Sequence, residues 1–274
     1  MSRVSPRARI YSIVGVAAVA AAAAVVGVTA ATHTSPPKPL GPRAGKPPYS
    51  ADWTAPGSLS SAVRRAMSAW PEGTVSTMRR LEKEHPSSSF VRLNLGLALF
   101  WQRDEVGAAE AWREAKRLEP DTPSAVRAGD LLHPNSPHGL PQFQPGFTRA
   151  TTKVERLLLE GVRLQQSWRP VSAERKFQQA ARLAPNLPDA QVAAAVGLYD
   201  KDRPALAFGR LGPLTRSFPQ SQSVRYHLGL LSVWLGRFAD ARREFELATR
   251  LAPGTQLGKD ARELAKRLAN VRTG

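Results

Sequence analysis

The chain has 274 residues, a formal net charge of +17 and no cysteine. Disulfides, thiolate metal centres and a thiol nucleophile are thereby excluded, and the basic surplus favours anionic partners such as acidic proteins, lipid headgroups, nucleic acid or wall polymers. The apolar share of 42% is that of a globular chain, and the length suits two ordinary domains or one elongated array.

Residues 1–9 form a basic segment with Arg3, Arg7 and Arg9 and no acid. An uncharged run follows over residues 10–31, IYSIVGVAAVAAAAAVVGVTAA. As a helix rising ~1.5 Å per residue it would span about 33 Å, close to the hydrocarbon thickness of a bilayer. The positive flank predicts a cytoplasmic amino terminus and a body across the membrane. The competing reading is an export signal cut near Val28-Thr29-Ala30, which would leave a secreted body. The length of the run favours the transmembrane anchor, and both readings place the body outside the cytoplasm.

Residues 32–57 are rich in proline, favour extended backbone and read as a linker lifting the body off the membrane. Beyond them the chain repeats itself. Pro185, Pro219 and Pro253 are spaced by 34 residues, as are Pro86 and Pro120. Leu228-Gly229 is followed by Gly236, Ala241, Phe245, Ala248, Leu251 and Pro253. From Leu95-Gly96 the sequence runs through Ala108, Trp112, Ala115, Leu118 and Pro120 at identical offsets. Gly161, Ala173, Phe177, Ala180, Leu183 and Pro185 give a third copy, and Ala195, Ala207, Leu211, Leu214 and Pro219 a looser one. Small residues in the first helix and at the start of the second permit close approach. Each proline ends its helix for want of an N–H donor.

This pattern resembles the tetratricopeptide-repeat family over most of residues 58–270. The resemblance implies an all-α fold, a right-handed superhelical solenoid of helical hairpins that must stack to bury their apolar faces. Residues 58–120 read as amino-terminal hairpins, the first of them degenerate. Residues 121–153 read as a degenerate repeat, with a helix from about Pro123 to Leu132 and then HPNSPHGLPQFQPGF, whose breakers forbid a helix. That irregular stretch is either functional or a divider between two sub-stacks. Three hairpins fill 154–253, with Gly212-Pro213 predicting a kinked or short second helix in the middle one. Residues 254–274 form a capping helix and tail, with Leu257, Ala261, Leu264, Ala265 and Leu268 on one face.

No catalytic constellation, cofactor motif or metal site emerges. His133 and His138 share the irregular loop without a carboxylate between them. Gly41–Lys46 and Gly254–Asp260 are each one residue short of a phosphate loop and lack the serine or threonine after the lysine. The chain therefore reads as a non-enzymatic interaction protein.

In the family, first helices line a concave surface that receives an extended or helical peptide. By phase that face carries Phe90, Leu93, Asn94, Leu97 and Trp101, then Leu158, Val162 and Gln165, then Val192, Val196 and Tyr199, and last Tyr226, His227, Leu230 and Trp234. Trp101, Tyr199, Tyr226, His227 and Trp234 are the candidate partner-binding residues, because aromatic anchors beside polar groups make interface hot spots. The alternative is that several of these residues are inter-repeat core. The expected function is a membrane-tethered, extracytoplasmic scaffold for a protein or peptide. The second expectation is a binder of anionic envelope polymer or lipid headgroups through arginine-rich helices. Basic pairs such as Arg64-Arg65 and Arg242-Arg243 are interrupted by acids and lack a stacking platform, so nucleic acid is not the expected partner. The pattern carries no signal for an oligomeric state.

Overall fold

The computed structural model describes residues 41–269. The anchor or signal expected at residues 10–31 lies outside that range. Among the described residues no helix is long and apolar enough to cross a membrane. The regular structure of the described residues is all-α, without a strand. It falls into two compact units, one ending at Pro134 and the other beginning at Asn135.

The amino-terminal unit holds α1 (Gly57–Ser68), α2 (Thr74–Glu84), α3 (Ser89–Trp101), α4 (Glu105–Leu118) and α5 (Pro123–Leu132). Each helix packs on the next, and α3 also touches α1 and α5. The core joins Val63 and Met67 of α1, Met78 of α2, Phe90, Leu93 and Leu95 of α3, and Trp112 of α4. The carboxy-terminal unit holds α6 (Lys153–Gln166), α7 (Pro170–Leu183), α8 (Pro188–Val196), α9 (Ala205–Leu211), α10 (Leu214–Ser217), α11 (Gln222–Trp234), α12 (Phe238–Leu251) and α13 (Gln256–Ala269). Here α8 touches α6, α9 and α11, and α11 touches α12 and α13.

Local chemistry sets the helix boundaries. Five helices (α2, α4, α7, α10 and α12) stop two residues before Pro86, Pro120, Pro185, Pro219 and Pro253 respectively. Side-chain oxygens of Ser88, Asp104, Thr122 and Ser221 accept the first free amide groups of α3, α4, α5 and α11. Thr152 and Glu155 form a reciprocal capping box on α6. Gly212-Pro213 separates α9 from α10, as the sequence predicts.

The pairs α3–α4, α6–α7 and α11–α12 share one turn. The residue after the cap is left-handed in each: Arg103 (φ 67°), Trp168 (φ 59°) and Gly236 (φ 71°). The next amide then reaches back into the helix, from Asp104 to the Leu99 carbonyl (3.0 Å), Arg169 to Leu164 (2.9 Å) and Arg237 to Ser232 (2.9 Å). The same three pairs seat an aromatic ring on a glycine. A Cβ on Gly96 would fall 2.3 Å from the Trp112 ring, on Gly161 2.2 Å from Phe177, and on Gly229 2.9 Å from Phe245. Each ring lies within its own pair, and Phe177 also approaches a glycine of the next, Gly197 (3.1 Å from its would-be Cβ).

Candidate functional site

The first-helix face of each unit is covered by a stretch of the same chain that has no regular structure. In the carboxy-terminal unit this strap is Pro137–Phe147, whose Pro137, Pro141 and Phe143 are buried. Its prolines and glycines deny it a helix, so its amide groups need partners from elsewhere. Gln165, near the end of α6, supplies two bonds at once. Its Oε1 accepts the Phe143 amide (3.0 Å) and its Nε2 donates to the Pro141 carbonyl (3.4 Å). His227 of α11 takes the next amide: Gln144 N–H donates to its Nε2 at 2.9 Å. At the start of the strap, the Lys201 Nζ donates to the Pro137 carbonyl (2.6 Å).

These bonds decide the state of His227. Its Nδ1–H donates to the Ser223 carbonyl at 2.7 Å, leaving Nε2 as the acceptor, so the ring is neutral with its proton on Nδ1. Burial lowers its pKa to about 4, and the Ser223 carbonyl offsets only part of that effect. Phe143 supplies the apolar anchor. It is 0% exposed, stacks on His227 (5.1 Å between centres, 23°) and meets Phe177 edge-on (5.7 Å, 70°). Leu140 and Phe147 pack against the same core. A cleft of about 510 Å³ borders the far end of the strap, lined by Gly146, Leu187, Asp189, Phe218, Ser223 and Leu257 among others. Burial raises the Asp189 carboxyl above its usual range, against a hydrogen bond from the Ser223 hydroxyl.

The amino-terminal unit has a strap of its own over residues 43–54. Asn94 of α3 grips Ser50 on both sides, its Oδ1 accepting the Ser50 amide (2.9 Å) and its Nδ2 donating to the Ser50 carbonyl (3.0 Å). Tyr49 meets Phe90 edge-on (6.1 Å, 89°), and the Arg64 guanidinium lies 5.0 Å from the Tyr49 ring centre. Asp52 accepts the amide (3.0 Å) and the hydroxyl of Ser124 in the first turn of α5. Arg43 donates to the Phe100 carbonyl and pairs with Glu105. Sequence composition reads residues 32–57 as a spacer. The part within the described residues is held against α3 and α5 instead, because Asn94 and Asp52 complete the hydrogen bonds that an extended chain leaves open.

The five candidate partner-binding residues separate. Tyr199, Tyr226, His227 and Trp234 belong to the carboxy-terminal unit and are buried, while Trp101 belongs to the other unit and is half-buried. Tyr226 and His227 meet edge-on (5.1 Å, 76°), as do Tyr199 and Trp234 (5.5 Å, 67°). Burial, with Asp260 adding to it, raises the Tyr226 phenol well above its ordinary range. Trp101 and Trp234 occupy the same place, five residues after the seat glycine at the end of a first helix. In both, the indole Nε1 is buried and finds no hydrogen-bond partner among the described residues. His227 is covered by Phe143 and Gln144 of the strap, and Tyr199, Tyr226 and Trp234 are buried, with Tyr199 edge-on to Trp234 and Tyr226 edge-on to His227, so these four do not stand open in a groove.

Gln165 and Asn94 lie on the face that the spacing predicts, and each binds the strap that covers it. The shared signal is a proline followed closely by an aromatic and a polar residue, Pro48-Tyr49-Ser50 and Pro141-Gln142-Phe143-Gln144. Among the described residues, no group of three or more histidine, aspartate or glutamate side chains is placed to hold a metal ion. No protein-family model matches the chain, and no curated protein matches it.

Proposed function

We propose that this chain is a non-enzymatic interaction protein of the tetratricopeptide-repeat kind, a solenoid of stacked hairpins that holds an extended polypeptide segment against its first helices. The observation that carries this reading is the paired grip. In two units, a side-chain amide on a first helix (Asn94 or Gln165) takes both an N–H and a C=O of an extended main chain. Such a grip is indifferent to most side chains and suits a receptor for unfolded stretches of other proteins. Support for the repeat comes from the common turn, the three glycine seats and the contacts between alternate helices. With the basic flank and apolar run of residues 1–31, the receptor would be tethered to the membrane with its body outside the cytoplasm.

The second reading, an arginine-rich surface for anionic polymer or lipid headgroups, draws on the charge of +17. Against it, Arg79, Arg117, Arg237, Arg243 and Arg267 are each paired with an acid three or four residues away. One experiment separates the two. Binding of a library of extended peptides to the full chain in detergent is measured at low and high salt. The peptide-receptor reading expects affinity that changes little with salt and falls with Gln165→Ala. Binding that collapses with salt and ignores Gln165 belongs to an electrostatic surface. Protease treatment of intact spheroplasts then checks the topology: digestion of the body from outside is expected, and full protection would overturn the extracytoplasmic placement.

A further inference from the structure

We infer that the cleft at the far end of the carboxy-terminal strap receives an arginine side chain from the extended partner segment, with its guanidinium on Asp189 and its stem along the apolar walls. The inference rests on the peptide-receptor reading above and names the side chain that such a segment must carry.

The strap covers the first-helix face and reaches the rim of the cleft at Gly146. Beyond it, the starts of α8, α11 and α13 stay within reach of another molecule. Leu187, Pro219 and Gln220 are exposed, and the space between the walls is about 510 Å³. A cleft of that size takes a small group or a single long side chain. The rim has room for a neighbouring chain: a Cβ added to Gly146 would meet only the Leu257 side chain, at 3.9 Å.

The walls select the occupant. Leu187, Phe218 and Leu257 make an apolar side, which suits the aliphatic stem of a long side chain and, at Phe218, the flat face of a guanidinium. The other side carries Asp189, in the first turn of α8, and Ser223. Ser223 is buried and donates its hydroxyl to the Asp189 carboxyl. It is itself held in place, because its carbonyl accepts the His227 Nδ1–H at 2.7 Å.

Burial and that one hydroxyl are what act on the carboxyl, with no lysine or arginine among the described residues. In a chain of 39 basic and 22 acidic side chains, Asp189 is thus an acid that the chain's own surplus of cations does not reach. Its charge is disfavoured by burial without a compensating ion. The Ser223 hydroxyl fills one of about four acceptor positions on a carboxylate, and a guanidinium would take others in paired geometry and favour the charge. A first-turn acid also steadies the start of a helix by itself, but that role needs neither an apolar cleft beside it nor a buried hydroxyl bound to it.

The test uses the full chain in detergent. The sequence holds no cysteine, so Gln220→Cys, on the exposed rim, carries a single environment-sensitive fluorophore. The probes are matched sets of short proline- and serine-rich peptides, each with one aromatic residue and either one arginine or its neutral isostere citrulline. Arginine peptides should shift the fluorophore and bind at least about tenfold tighter than citrulline peptides. That comparison needs no change at Asp189. Asp189→Asn, which keeps an acceptor for Ser223 and removes the charge, should erase the difference, leave citrulline peptides unaffected and leave thermal stability unchanged or raised.

Equal binding of both sets would overturn the arginine site and leave the receptor reading in place. No binding of either set would overturn both. An arginine preference that survives Asp189→Asn would overturn the cleft as its source. Lower thermal stability in that variant, with peptide binding unmoved, would assign the carboxylate to the helix start alone. N-acetylarginine amide binding as tightly as the peptides would overturn a polypeptide partner.

Discussion

The two straps do the same task with different chemistry. Over the amino-terminal unit, residues 43–54 are pinned mainly by polar and charged contacts: Asn94 on Ser50, Asp52 on Ser124, Arg43 on Glu105, and Arg64 over a half-buried Tyr49. Over the carboxy-terminal unit, Pro137–Phe147 is pinned by a fully buried phenylalanine and a neutral histidine. The first strap is thus a set of separate fastenings, of which the Arg43–Glu105 pair, with its exposed Glu105, is worth little, while Asn94 and Asp52 act from buried positions. The second is an extension of the core, in which one ring carries most of the apolar contact. A main-chain grip from a first-helix amide is common to both, and the anchor decides how firmly it holds.

That contrast can be broken from either side. The largest effect is expected for Phe143→Ala, which should weaken strap closure by about 3–5 kcal/mol, as for other buried phenylalanines. Hydrogen exchange at the Gln144 amide measures it, and unchanged protection would mean the ring is not the anchor.

Acid comes next. The unfolded His227 titrates near 6.5 and the folded one near 4, so the native state binds fewer protons between those values. The stability it contributes is complete above pH 6.5, declines as the pH falls toward 4, and is lost below that, by about 3 kcal/mol in all. Chemical denaturation of the carboxy-terminal unit across that window checks the slope. His227→Gln, which keeps an acceptor without a titrating ring, should flatten it.

Asn94→Ala removes both bonds to Ser50 and should loosen the amino-terminal strap by about 2 kcal/mol, read as faster exchange at the Ser50 amide with Gln144 unaffected. The smallest effect belongs to Tyr49→Ala, about 1 kcal/mol, also at Ser50. A loss there as large as that of Phe143→Ala would erase the distinction between the two straps.

Much of the fold was legible because its signals are local. The prolines spaced by 34 residues mark helix ends to within two residues, Gly212-Pro213 announces a break, and Pro123–Leu132 stands out as a helix. The common turn was legible only at Gly236. Arg103 and Trp168 adopt the same left-handed backbone without being glycine, held there by bonds back into their helices. The site was legible in half. Spacing alone puts Asn94, Gln165, Tyr226 and His227 on one face, but it does not say what covers that face. The Phe143 and Gln144 amides find partners 22 and 83 residues away. No local pattern encodes such pairings, so a proline-rich segment reads as a spacer until its hydrogen bonds are traced.

The glycine seats have a consequence for how the sequence can vary. Each seat lies sixteen residues ahead of the ring it carries (96 and 112, 161 and 177, 229 and 245). Any replacement there brings a Cβ, and at each seat that atom would come within 3 Å of the ring, closer than packed carbons approach. A saturation scan of single substitutions should therefore find three isolated positions intolerant even of alanine, the mildest change. A second change that trims the matching ring should restore part of what alanine removes, so these sites are expected to drift in pairs or to stay as they are.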